Sequence, residues 1–177
     1  MLRVSGKDLA RQAVNGGYVG IPYAKMDCQG FVESVLFDCG VRKKDGTAYN
    51  WRGSNSMWRN YITWKGTISE CISKFGEIPQ GAFMFILKND GGEEERGYHD
   101  GLGNASHVGL YVDSSLDKPC MDSQGNRGVD YCKLNIFTHV GLMSMIDYFN
   151  EPVPETGVTL EEALKALDVL TNYVKGV

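Results

Sequence analysis

A chain of 177 residues, 42% of them hydrophobic, fits one domain of about 100–150 residues with a small appendage, and carries enough apolar side chains for a packed core. The net charge of −4, with no Lys/Arg cluster, argues against nucleic acid as the main partner, and no apolar run approaches the roughly 20 residues that cross a bilayer. Five cysteines without Cys-x-x-Cys spacing argue against both a disulfide framework and a zinc site, so no metal or cofactor is expected and the thiols are expected to be reduced.

The segment from Met1 to Asp8 has no apolar signal core, so the chain is expected to be made in the cytoplasm without a signal peptide. Ser5 can cap a first helix carrying Leu9, Ala10, Ala13 and Val14 and ended by Asn15-Gly16-Gly17. A second helix opens at Cys28 behind Asp27 as its N-cap; Val32, Val35, Leu36 and Cys39 recur at helical spacing until Gly40. The unsatisfied amides and positive dipole end of that first turn favour thiolate over thiol, and the spacing turns the Cys28 sulfur toward the sheet on which the helix packs. Residues 41–66 interleave Tyr49, Trp51, Trp58, Tyr61 and Trp64 with Arg52, Arg59 and Asn60. Two readings stay open here: a substrate groove walled by Trp51 and Trp58, or a helical excursion that buries its tryptophans.

A short helix from Ser69 to Phe75 leads to a strand from Ala82 to Lys88, and the acidic, Gly-rich stretch up to Gly97 reads as a solvated loop. Next, Val108, Leu110 and Val112 alternate with His107, Gly109 and Tyr111, the period of a strand buried mainly on one side, with His107 at its mouth. Gly109 is expected to let another backbone, such as the Cys28 helix, come close beside His107. Strands around Cys120 and from Val129 to Ile136 follow, with Gly141 to Tyr148 as the closing element. Helices first and strands later give an α+β class, N-terminal helices packed on an antiparallel sheet. Glu151 to Gly157 is a linker by composition, and a capping box at Thr159 to Glu162 starts a helix with an apolar stripe of Leu160, Ala163, Leu164, Leu167, Leu170 and Val174. This divides the chain into a domain over 1–150 and an appendage over 151–177, whose stripe has to dock back, pair with a partner or join a longer assembly. The oligomeric state is left open.

A thiol and an imidazole within hydrogen-bond reach form the activated nucleophile of acyl-transfer chemistry, and Cys28 with His107 is the candidate pair. His99, in Gly-Tyr-His-Asp-Gly, reads as a loop residue, His139 as a strand residue with a satisfied ring, and the other four cysteines as small hydrophobes.

Asp27-Cys28-Gln29-Gly30-Phe31-Val32, followed far along the chain by a strand opening His107-Val108-Gly109-Leu110-Tyr111, resembles the NlpC-type family of papain-like cell-wall cysteine peptidases over roughly the first 150 residues. Gln29 stands where that family more often has Ser, a change read as surface-facing. Gly20-Ile21-Pro22-Tyr23 resembles the family's Gly-x-Pro-Tyr lead-in, and Ile78 to Phe85 its Pro-Gly-Asp-Leu element, with Gln80 interposed and Ala82 in place of Asp. The resemblance implies a papain-like fold in which the Tyr23 hydroxyl and the Cys28 amide stabilise an oxyanion. It also implies a polar residue on the next strand that orients His107: Asp122, or Gln124 if the register slips in the long hairpin from Asp113 to Pro119, with Ser123 then facing the other way. The implied substrate is a peptidoglycan stem peptide, cut at a D-glutamyl bond to a diamino acid through a thioacyl-enzyme. An amidase at the sugar–peptide link, an acyltransferase and a non-catalytic wall-binding module are the alternatives. Without a signal segment, the context implied is a phage or prophage product that reaches the wall after lysis or on a virion.

Overall fold

The computed structural model describes residues 4–89 and 99–149. Helix α1, Gly6–Asn15, starts at a reciprocal cap: the Ser5 hydroxyl accepts the Asp8 amide, and the Asp8 carboxylate accepts the Ser5 amide. Helix α2, Cys28–Asp38, starts where the Asp27 carboxylate accepts the Gly30 amide at 2.6 Å, and it buries Phe31, Val32, Val35 and Leu36 along one face. Helix α3, Gly53–Asn60, and strand β1, Trp64–Thr67, follow. Helix α4, Ile68–Phe75, has a capping box from Thr67 and Glu70 and stops at Gly76, whose φ of 85° favours glycine. The remaining strands are β2, Phe83–Lys88; β3, Asn104–Tyr111; β4, Cys120–Gln124; β5, Gly128–Cys132; and β6, His139–Leu142.

These strands form one antiparallel sheet in the order β1-β6-β2-β3-β4-β5. Alternation along each strand feeds two cores. Phe83, Phe85, Val108, Leu110, Met121 and Val129 pack against Leu9, Phe31, Val35 and Met57 of the helices. Met84, Tyr111, Cys120 and Cys132 face the other way, joining Cys71, Phe137 and Val140 in a second cluster. The architecture is therefore α+β, N-terminal helices packed on a six-stranded antiparallel sheet.

Three expectations shift. Strand β1 precedes α4 and pairs with β6, so the chain does not run helices first and strands last. The strand expected from Val129 to Ile136 ends at Cys132, and Leu134–Ile136 is a single 3-10 turn. Strand β6 begins at His139, ahead of the closing element expected from Gly141 to Tyr148, and sits between β1 and β2. Four-residue strands such as β1 are too short for their alternation to stand out from a loop, which is why β1 escaped notice. The loop at 90–97, the boundary at 150 and the C-terminal stripe lie outside the described residues. Among the described residues no helix is long and apolar enough to cross a membrane.

Candidate active site

The segment that carries Cys28 is tied to the far half of the sheet before α2 begins. The Gly20 amide donates to the Val129 carbonyl and the Val129 amide to the Ile21 carbonyl, both at 2.9 Å. Gly128, at φ 69°, comes so close that a Cβ there would lie 2.1 Å from the Ile21 oxygen. One strand over, the Ser123 hydroxyl donates to the Met26 carbonyl at 2.6 Å. Ser123 thus faces the helix side of β4, and its neighbour Asp122 faces the other side.

On that other side His107 and Asp122 meet. Gly109 and Asp122 are register partners, which puts Asp122 diagonally across from His107. Its Oδ2 lies 2.8 Å from His107 Nε2. The Cys28 thiol lies close enough to the same imidazole to raise its hold on a proton, and with Nε2 taken by Asp122 the nitrogen left for sulfur is Nδ1. The structure therefore brings Cys28, His107 and Asp122 into one chain of contacts. Gln124 does not take the place of Asp122: its Nε2 donates to Asp122 Oδ2 at 3.0 Å and braces the carboxylate.

The electrostatics favour an ion pair. Burial works against the charged imidazole, but the Asp122 hydrogen bond and the neighbouring Cys28 outweigh it and bring His107 up to about 9. Burial likewise works against the Asp122 carboxylate, yet the His107 bond and the charges of His107 and Arg127 hold it below its ordinary value. Arg127, in the β4–β5 turn, donates from Nη2 to Asp122 Oδ1. Sequence reasoning passed over Arg127 because it sits in a polar turn where a charged residue is unremarkable; its contact depends on the hairpin folding back over β4.

Tyr23 is 40% exposed, and burial together with the charges of Cys28 and Asp27 pushes its hydroxyl above its ordinary value. The other thiols are poorly disposed to react. Burial pushes Cys39 and Cys71 up to about 11, Cys120 up to about 12, and Cys132 up as well. His99 is exposed in the loop before β3. His139 opens β6 with Nδ1 2.9 Å from the Thr138 hydroxyl and its ring edge-on to Trp58, and burial lowers its pKa.

Several expectations need correction. Trp51 and Trp58 are 5% and 3% exposed and belong to the core: Trp51 stacks on Tyr49 and meets Tyr61 at a tilt, and Trp58 packs on Phe85 while donating to the Leu102 carbonyl at 3.0 Å. They offer no face to a substrate; of the two readings, burial is the one the structure holds for Trp51 and Trp58, of which Trp58 lies in α3 and Trp51 just before it, while Trp64 opens β1 half-buried. Gln29 is not surface-facing but 8% exposed, and its amide donates to the Trp51 carbonyl and to Glu33 Oε1, locking the aromatic segment onto α2. Gly109 does let another backbone come close, but it is β4 and not α2: a Cβ there would lie 2.7 Å from the Met121 carbonyl oxygen. A Cβ there would lie 2.8 Å from Phe137, whose ring stacks on His107 at 6.0 Å between centroids.

No family model, curated protein or solved structure matches the chain. The functional reading therefore rests on the geometry of these residues. Among the described residues, no three His, Cys, Asp or Glu side chains are grouped to hold a metal ion.

Proposed function

We propose that the chain is a cysteine hydrolase with a papain-like fold of NlpC type, cleaving amide bonds in peptidoglycan stem peptides. The observation that carries this reading is that His107, bonded to a fully buried Asp122, lies beside Cys28 at the first turn of α2.

In the mechanism, the Cys28 sulfur attacks the amide carbonyl as a thiolate paired with the His107 imidazolium. Charge develops on the carbonyl oxygen, where the Cys28 amide, one of the first-turn donors without an intrahelical acceptor, and the Tyr23 hydroxyl are available to it. His107 then gives its proton to the departing amine, leaving a thioacyl-enzyme. Water, losing a proton to His107, attacks the thioester and releases the carboxylate and the thiol. Asp122 keeps Nε2 engaged, which directs Nδ1 to the sulfur and stabilises the imidazolium. The substrate class, a D-glutamyl bond to a diamino acid, and action on the wall after lysis or from a virion come from the resemblance of the Cys28 and His107 motifs.

The test is mass spectrometry of fragments released from purified peptidoglycan. Cleavage within the stem peptide by the wild type and none by Cys28→Ser supports the proposal. Cleavage at the sugar–peptide link assigns an amidase, and transfer to an added amine in competition with water assigns an acyltransferase. Equal binding with no cleavage by either protein refutes the enzyme reading.

A further inference from the structure

We propose that Arg127 is a positioning residue for the Cys28–His107 pair: its guanidinium clamps Asp122 so that one carboxylate oxygen faces His107, and its charge limits how tightly that carboxylate holds the imidazole proton. This rests on reading Cys28 and His107 as nucleophile and base.

The contacts divide the carboxylate cleanly. Oδ2 receives His107 Nε2 at 2.8 Å and Gln124 Nε2 at 3.0 Å, while Oδ1 receives Arg127 Nη2. The second guanidinium nitrogen, Nη1, donates to the Tyr131 carbonyl at 3.3 Å and lies 3.9 Å from Asp130 Oδ2, which fixes the plane of the guanidinium on β5. Asp122 has no exposed side-chain surface, so water cannot substitute for either partner. Cys132 also lies beside the carboxylate, but a neutral thiol there holds neither oxygen as His107 and Arg127 hold theirs. Held on both sides, the carboxylate can present only Oδ2.

The charge argument is separate from the geometric one. Thiolate, imidazolium, carboxylate and guanidinium sum to zero. Around them lie Tyr23 from the lead-in, Cys120 on β4, Asp130 and Cys132 on β5, and none of these supplies a second cation. Asp130, and Asp27 at the α2 N-cap, add further negative charge, so without Arg127 the imidazolium would be the one cation among these groups. His107 would then bind its proton more tightly and surrender it less readily to a leaving amine, and the Cys28 thiolate would form beside unbalanced charge.

The experiment follows the His107 ring by NMR titration in the wild type, Arg127→Gln and Arg127→Lys, alongside the pH profile of Cys28 alkylation by iodoacetamide and thermal denaturation. Two unit charges about 6 Å apart across one carboxylate, at an effective dielectric of about 40, shift a titration by about one unit. The His107 midpoint should therefore rise by about one unit in Arg127→Gln, with the Cys28 alkylation profile displaced to higher pH. Both should return to wild type in Arg127→Lys. An Arg127 that only stabilises the hairpin would lower the melting temperature of Arg127→Gln and leave the His107 midpoint and alkylation profile in place, which overturns the proposal. If Arg127→Gln does not fold, Arg127→Lys decides alone: a wild-type midpoint supports the charge role, and one displaced by a unit overturns it. None of these readouts needs turnover. A protein inert toward peptidoglycan but showing the shift would refute the hydrolase reading alone, and an active enzyme with an unmoved midpoint would refute the role of Arg127 alone.

Discussion

Replacing Asp122 by Asn removes the charge that faces His107 with almost no change of shape, and its effect can be worked out from the site. His107 stands at about 9 against an ordinary 6.5. That difference of about 2.5 units is worth up to about 3 kcal/mol of preference for the imidazolium, shared between Asp122 and Cys28 and already net of the burial that opposes it. The His107 side chain is only 14% exposed, so solvent screening takes little of it. In Asp122→Asn the burial and the Cys28 share both remain, so the His107 midpoint should fall from about 9 toward 6.5. The raised value in the wild type stabilises the fold fully below the unfolded midpoint near 6.5 and is lost as pH rises through about 9. Asp122, held low, contributes above its unfolded value near 3.8 and loses that contribution as pH falls through its lower folded value. Urea denaturation of the two proteins should therefore show a gap of up to about 3 kcal/mol at pH 5–6 that narrows by pH 9.5, with the NMR titration of the ring locating the midpoint. A His107 midpoint that stays near 9 in the variant, or a stability gap independent of pH, would refute the assignment of Asp122 as the partner that holds the imidazole charged.

Cys28→Ser should keep the fold and lose nearly all hydrolysis, and in the wild type iodoacetamide should label Cys28 ahead of Cys39, Cys71, Cys120 and Cys132; peptide mapping that shows equal labelling counts against the nucleophile. His107→Ala should abolish turnover while His99→Ala and His139→Ala cost little, and steady-state rates showing the reverse for His99 would place a different base at the thiol. Gly128→Ala forces a Cβ to within 2.1 Å of the Ile21 oxygen at a φ of 69°, so it should destabilise the fold by roughly 1–3 kcal/mol and slow Cys28 alkylation by displacing the lead-in. A denaturation midpoint and an alkylation rate equal to wild type would show that the lead-in does not position the thiol.

Much of the site can be read along the chain because its chemistry sits on regular elements. Asp27 before an apolar helical period marks a capped first turn, and the alternation around Val108 marks a strand, so the positions of Cys28 and His107 follow from local pattern. The placement of Asp122 beside His107 depends on one integer, the register of β3 against β4, and the expected alternative of Gln124 differs from it by a single diagonal step. Burial was less legible. Gln29 looked like a surface residue because it is polar and stands in the first turn of α2, although its spacing to Val32 and Leu36 puts it on their face; the chain at Trp51 returns to cover it.

The capping residues, the helical and strand periods and the charge pattern are properties of neighbours in the chain, and by themselves they determined an α+β domain with a thiol at a helix start and a histidine on a strand. Which carboxylate holds that histidine, that Arg127 holds the carboxylate, and that Trp51 and Trp58 are core and not groove depended on contacts between residues far apart in sequence, such as Trp58 with Leu102 and Gln29 with Trp51. Such contacts arise only when the sheet closes in one register and buries one set of alternate side chains on each face, and a one-residue slip would exchange the two sets. Local pattern constrains the elements; the requirement that both faces of the sheet be covered selects among their pairings, and that selection assembles the site.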